Sequence, residues 1–244
     1  MIFKMKKLIT TLNVVILSIV CCGCSWAKED GGLMNVEEYF IDDHVRSLAN
    51  AAANGDTKTL QILVKQDVNV NSIGVDDMTP LVWALINRNK SGVVILLDNG
   101  ANPNYITSNG ASMVTLASMM DDDFFLKVAL SHGGDPNIKD PKLNMTALIR
   151  AVYSDRINNA KLLIDAGAKL SSENAEDENP IINAAQIDRY QFVVLFLQSI
   201  RSEKESIDKI KKELMLYINA SNLMSGTDAY RWKEKARDIL LTEY

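Results

Sequence analysis

The chain has 244 residues, 47% hydrophobic and 23% charged, the balance of an ordinary soluble fold. Its formal charge is −5, and because the first 23 residues hold Lys4, Lys6 and Lys7 and no acid, the remainder carries −8. A mildly acidic body without clustered Lys and Arg excludes nucleic acid as its main partner, since phosphate contacts need such clusters.

The N-terminus, MIFKMKK followed by LITTLNVVILSIVCC, reads as a secretory signal over residues 1–23, with a basic start and then about fifteen mostly apolar residues. The apolar run is shorter than a spanning helix needs. All three cysteines fall in Cys21-Cys22-Gly23-Cys24, which leaves the folded body without disulfide or thiolate–metal chemistry. This ending resembles a bacterial lipoprotein signal, in which a small residue precedes the cysteine that is acylated. The resemblance implies a lipid on Cys24, with Cys22 as the alternative; Cys21 stands where that pattern usually has leucine. With Ser25 next to the lipid site, it also implies a protein facing the periplasm from the outer membrane. Residues 24–34 (CSWAKEDGGLM) read as a tether. The codons of Lys28–Gly32 are purine-rich and Met34 follows closely, so a minor cytoplasmic form starting at Met34 is a further expectation.

From residue 35 to 200 the chain repeats itself. Steps of 33, 33, 34 and 33 residues align Leu48, Leu81, Val114, Leu148 and Ile181, and the same register aligns Ala51, Ala84, Ala117, Ala151 and Ala184. Downstream it aligns Leu60, Val93, Leu126, Ala160 and Val193, then Val64, Leu97, Leu130, Ile164 and Leu197. A turn column reads Asp67, Gly100, Gly133, Gly167, and a loop column reads Asn71, Asn104, Asn137, Ser171. A small residue where helices of adjacent units cross lets their backbones approach, and large aliphatics fill the space beside it. The predicted units are 43–77, 78–110, 111–144, 145–178 and 179–200, each two helices too short to persist without neighbours. In the first unit the helices are expected at Asp43–Ala53 and Thr57–Lys65, with Tyr39, Phe40 and Val45 covering its outer face.

Met78–Asn104 carries the most specific landmarks: Thr79-Pro80-Leu81, Ala84, then Leu96-Leu97 and Asn99-Gly100-Ala101-Asn102-Pro103-Asn104. It resembles an ankyrin repeat, with Trp83 departing at the usual His position (Val82 by a one-residue shift). The resemblance implies an all-α ankyrin-repeat solenoid of about five units. Pro80 suits the first turn of a helix and Gly100 the residue just past one. After Ile200, residues 203–219 place Ile207, Ile210, Leu214 and Tyr217 on one helical face, and residues 228–242 repeat the pattern with Tyr230, Ala236, Ile239 and Leu240. Residues 201–244 therefore read as a helical cap on the last repeat.

Catalytic constellations are lacking in the sequence. His44 and His132 sit far from any second histidine or cysteine at metal-ligand spacing, and His132 falls at a helix end, where it suits free carbonyls. Asp121-Asp122-Asp123 lack the alternation of a calcium loop and suit a helix start. There is no phosphate loop and no G-x-S-x-G elbow. No cofactor, metal or catalytic activity is expected.

What remains is surface. The ankyrin resemblance implies that first helices and turn tips line a concave partner-binding face. Its candidates are Trp83, Asn87 and Arg88 in the second unit, Met119 and Asp121 in the third, Tyr153 and Arg156 in the fourth, and Asp188 and Tyr190 in the fifth. The tips add Val75, Asp76, Tyr105, Ile106, Lys142 and Leu143. Trp83 reads equally as buried between repeats. Phe124 and Phe125 read as packing residues. The whole layout resembles immunity proteins that protect bacteria from lipase effectors of type VI secretion, which implies a protein partner, one lipase-type toxin per monomer. An envelope scaffold for a house-keeping periplasmic enzyme is the alternative.

Overall fold

A computed structural model describes residues 35–108, 110–141, 143–170, 179–200 and 204–244, with side chains in the last stretch from 207 onward. The signal, the lipid site at Cys24, the tether, the start at Met34 and the tip residue Lys142 lie outside these residues. Every regular element among the described residues is a helix, apart from a lone bridge between Lys139 and Thr146. A single turn, α1 (Val36–Tyr39), precedes α2 (Asp43–Asn54) and α3 (Thr57–Lys65). The paired pattern continues with α4 (Pro80–Ile86) and α5 (Lys90–Asp98), then α6 (Met113–Ala117) and α7 (Phe124–Ser131). It ends with α8 (Ala147–Tyr153) and α9 (Ile157–Asp165), then α10 (Pro180–Gln186) and α11 (Tyr190–Ser199). Two longer helices follow, α12 (Lys204–Ala220) and α13 (Asp228–Thr242). None of the described helices is long and apolar enough to cross a membrane.

The starts of several of these helices are fixed by side-chain oxygens, whereas those of α9 and α11 have no side-chain cap. Asp42 accepts the N–H groups of His44 and Val45 at 2.9 and 3.0 Å, Thr79 that of Val82 at 3.2 Å, and Asn89 that of Gly92 at 2.8 Å. Thr146 and Asn179 repeat the device at Ile149 (3.3 Å) and Ile181 (2.9 Å). Each such cap satisfies an amide that the helix itself leaves unpaired. Of the three aspartates before α7, Asp122 accepts the Phe124 N–H at 3.1 Å, while Asp123 at the N-cap makes no side-chain cap bond. At the other end of α7, His132 Nδ1 lies 2.9 Å from the Val128 carbonyl.

The described residues divide between Met113 and Val114 into two compact units. In the first, Leu48, Ala51, Leu60, Leu81, Ala84 and Val93 are all buried. Gly92 is required there by close approach: a Cβ on it would stand 2.0 Å from the Ala52 carbonyl oxygen. In the second, Leu126, Leu148, Ala151, Ala160, Ile181, Ala184 and Val193 are buried in the same register. The lower positions of the second helices are unevenly covered, with Leu97 and Leu197 buried and Val64, Leu130 and Ile164 half-buried.

The turn column adopts left-handed backbone throughout, with φ of 59° at Asp67, 84° at Gly100, 81° at Gly133 and 92° at Gly167. The loop column supplies a staple seen once in each unit. Asn71 Nδ2 donates to the Gly100 carbonyl at 2.8 Å while its Oδ1 accepts the Asn102 N–H at 2.7 Å. Asn137 does the same to the Gly167 carbonyl (3.1 Å) and the Lys169 N–H (2.8 Å). Each asparagine thus joins one hairpin to the next, sealing a carbonyl and an amide that the turn leaves open. At about 0.5–1.5 kcal/mol per net hydrogen bond, Asn71→Ala should lower stability by ~1–2 kcal/mol, measured as a lower denaturant midpoint with an unchanged slope.

In the second unit α12 packs on α10 and α13 on α11. Ile207, Leu214 and Ile218 of α12 and Ala236 and Leu240 of α13 are fully buried. Tyr190, expected as a partner-facing anchor, belongs to this junction instead. Its ring is fully buried and its hydroxyl donates to the Tyr217 carbonyl at 3.2 Å, while Gln186 Nε2 donates to the Tyr217 hydroxyl at 3.0 Å. Tyr244 closes the cap by donating to the Leu197 carbonyl at 2.8 Å. Burial pushes the Tyr190 phenol up to about 12 from its ordinary 10.0. A group whose folded pKa is raised contributes fully below its unfolded value, and that contribution is lost as pH climbs from about 10 to about 12. Alkaline unfolding should therefore steepen over that window, and Tyr190→Phe should flatten it in a pH series of thermal melts.

Candidate partner-binding surface

Trp83 stands on α4 two residues beyond the buried Leu81, at the helix position where the counterparts are Asn50, Leu116, Arg150 and Asn183. It is only 5% exposed. The Tyr39 ring lies 5.5 Å from its indole, and the Phe40 ring meets it edge-on at 6.2 Å. The contact role expected for Trp83 therefore does not hold for this arrangement, because the segment before the first repeat already covers it. Asn87 and Arg88 are exposed at the end of α4, with Asn87 Nδ2 turned back onto the Trp83 carbonyl at 2.8 Å.

Arg88 has φ of 56°, and Asp155 (59°), Asp188 (60°) and Gly55 (74°) share this conformation in the corresponding interhelix loops. Left-handed backbone at a residue with a Cβ costs on the order of 1 kcal/mol. Asp155 puts its side chain to use, accepting from Arg189 at 2.8 Å and Gln191 at 2.9 Å, which bind the fourth helix pair to the fifth. Asp188 is half-exposed and Asp121 exposed.

The hairpin tips of the first unit carry three exposed apolar side chains, Ile73, Val75 and Ile106. Gly74 N–H donates to the Met78 carbonyl (2.8 Å) and Met78 N–H to the Val75 carbonyl (3.1 Å), closing a two-residue turn on Asp76 and Asp77. Both have positive φ, 55° and 57°, the pattern of the mirror-image hairpin turns where Asn-Gly is usual. Val75 is 43% exposed, Ile73 56% and, on the next hairpin, Ile106 38%. Asp77 ties the two tips together by accepting the Ser108 N–H at 2.8 Å. Partial burial and then the Asp77 carboxylate raise the Tyr105 phenol above its ordinary value. Neither hairpin contains a Lys or Arg between residues 68 and 79 or between 101 and 112. The result is a platform of aliphatic and aromatic groups edged by carboxylates.

In the second unit Leu143 is exposed at a tip, and Leu216, Met224, Trp232 and Leu241 are exposed on and between the cap helices. Met119, a predicted contact, is buried at 8% exposure because two arginines draw it inward. Arg156 Nε donates to its carbonyl at 3.1 Å and Arg150 Nη1 lies 3.8 Å from its sulfur. Arg150 Nη2 pairs with Asp140, whose side chain is fully buried and whose second oxygen accepts the Leu143 N–H at 3.1 Å. Asn159 holds the neighbouring loop, its Nδ2 lying 3.2, 3.0 and 2.8 Å from the carbonyls of Ala117, Ser118 and Met120. Tyr153 and Arg156 remain partly exposed. Sequence reasoning missed Arg150 and Asn159. The signal for Arg150 was weak, since its first-helix register also holds Asn50 and Asn183 beside Trp83 and Leu116.

The described residues hold no cluster of three or more metal-ligating side chains. A family model of ankyrin repeats, three copies, matches residues 27–107. Among relatives, Protein PhlB of Serratia liquefaciens is 32% identical over 187 residues, covering 75% of this chain and 81% of that protein. Putative ankyrin repeat protein L371 of Acanthamoeba polyphaga mimivirus is 27% identical over 60% of this chain and only 20% of its own length. Human Palmitoyltransferase ZDHHC13 is 26% identical over 64% of this chain and 31% of its own length. Such repeats serve generally as protein-binding rather than catalytic modules. With its paired helices, stapled hairpins and left-handed turn column, the chain belongs to the ankyrin-repeat family.

Proposed function

We propose that this protein is a lipid-anchored, non-catalytic inhibitor that captures a secreted (phospho)lipase toxin one to one on the periplasmic side of the envelope. The observation that carries the reading is an ankyrin body lying directly behind a leader that ends in Gly23-Cys24. A lipid on Cys24 holds the binding module at the leaflet a lipase must reach and raises its local concentration without any new contact. The platform of Val75, Asp76, Tyr105 and Ile106 is the contact surface, with Tyr105 the residue type that anchors interfaces and exposed Val75 and Ile106 adding apolar area beside it. Its carboxylates, and the net acidity of the chain, favour a target with basic residues around an apolar patch. The test is a competition between cells carrying and lacking this gene, attacked by a neighbour that delivers the lipase encoded beside it. Carriers should survive and non-carriers should not. Cys24→Ser should leave an unprocessed precursor and weaken protection. Equal survival of the two strains would remove the inhibitor reading and leave the envelope scaffold.

A further inference from the structure

Residues 35–42 precede the first helix pair. Helix α1 is one turn, capped by the Asn35 side chain accepting the Glu37 N–H at 3.2 Å, and a helix that short does not persist by itself. Its stability comes from a seat on the first unit. Phe40 is 1% exposed with its ring edge-on to Trp83, and Tyr39 lies against the same indole. Arg46 of α2 reaches back to the carbonyls of Phe40 and Ile41 at 3.3 and 3.4 Å. Gly74 leaves room for the segment: a Cβ there would stand 2.2 Å from the Tyr39 carbonyl oxygen and 3.0 Å from the Phe40 ring. Gly74 has φ of −93°, open to any residue, so this glycine is explained by space rather than by backbone conformation.

The seat is well built, but the segment is held lightly. Phe40 is the one fully buried side chain between residues 35 and 42; Glu37, Glu38 and Asp42 are exposed and Ile41 is 82% exposed. Segments with little buried apolar surface open locally at far lower cost than the core around them. Phe40 and Tyr39 are the two rings against Trp83, so opening of this segment would uncover the indole.

We propose that Trp83, Gly74 and Arg46 form a binding site for an aromatic peptide segment, and that Tyr39-Phe40 fills it in cis as a strap that opens without unfolding the repeats. The ligand class is a Tyr-Phe pair ending one helical turn, so the site accepts the same segment offered as a separate peptide. This goes beyond the inhibitor reading, which uses the hairpin tips and stands or falls without the strap.

The test uses the full chain with Trp26→Phe and Trp232→Phe, which leaves Trp83 as the sole indole of the three. Acrylamide should quench Trp83 weakly in this parent and several-fold more strongly after Phe40→Ala. A synthetic peptide of residues 35–46 should restore the shielding saturably, and its Phe40→Ala counterpart should not. Gly74→Ala keeps both rings and disturbs only the seat, and should unshield Trp83 as well. Helical signal equal to the parent shows that the repeats remain folded. If Phe40→Ala loses that signal, hydrogen exchange on the parent decides. The Glu38 and Phe40 amides, bonded to Asn35 and Val36, should then exchange much faster than amides within α4. Exchange as slow as in α4, continued shielding in both variants, or a peptide that restores nothing would overturn the proposal.

Discussion

Arg150→Ala should lower the stability of the protein by about 3–5 kcal/mol, the usual cost of removing one partner of a buried ion pair. The mechanism lies in what remains. Asp140 is fully buried, and without the guanidinium it keeps the Leu143 amide but loses its counter-charge. Removing the hydrogen-bonding head of Arg150 also frees Met119, whose sulfur it approaches. Arg150→Met combined with Asp140→Asn should recover much of the loss, because a neutral pair leaves no buried charge. Chemical denaturation of the two variants distinguishes this from a packing effect: if the double variant is as unstable as Arg150→Ala, the charge argument fails.

Gly92→Ala should also destabilise, against its own propensity. In a helix interior alanine is favoured over glycine by about 1 kcal/mol, so an open site would gain stability. Here the new Cβ meets the Ala52 carbonyl oxygen at 2.0 Å, and the obstacle is backbone, which cannot swing aside like a side chain. Overpacking of this kind costs roughly 1–3 kcal/mol or more, and contact with backbone belongs at the upper end. The net expectation is a loss of ~2 kcal/mol, rising with Gly92→Val. A variant that melts at or above the parent temperature would show that α2 and α5 have slack the described packing denies them.

The repeat register was legible because it is written in volume and backbone geometry. Alanine columns, aliphatic columns and left-handed turn residues recur wherever two short helices stack on their neighbours, and the buried positions follow them. The asparagine column was legible as a pattern, but its job as a bidentate staple needs coordinates. The surface was harder to read. Trp83 and Tyr190 carry the residue types that dominate interfaces, yet both are covered by segments outside the repeats, the strap in one case and the α12–α13 cap in the other. Sequence gives side-chain chemistry along one chain and does not say which distant segment folds over it. Met119 failed for the same reason, held inward by Arg150 and Arg156 from the next helix pair. At the tips, Val75, Asp76 and Ile106 are exposed, the first two on or beside a turn with positive φ.

The central claim is tested most directly by titrating the protein with the proposed partner, a lipase-type toxin sought beside its gene, and comparing a variant carrying Val75→Asp and Ile106→Asp. The account predicts one-to-one binding by the parent and a loss of about 2 kcal/mol or more in the variant, roughly thirtyfold in Kd. Leu216→Asp, at an exposed cap position, should leave the affinity unchanged. No heat of binding with the parent, or full affinity in the tip variant, would contradict it.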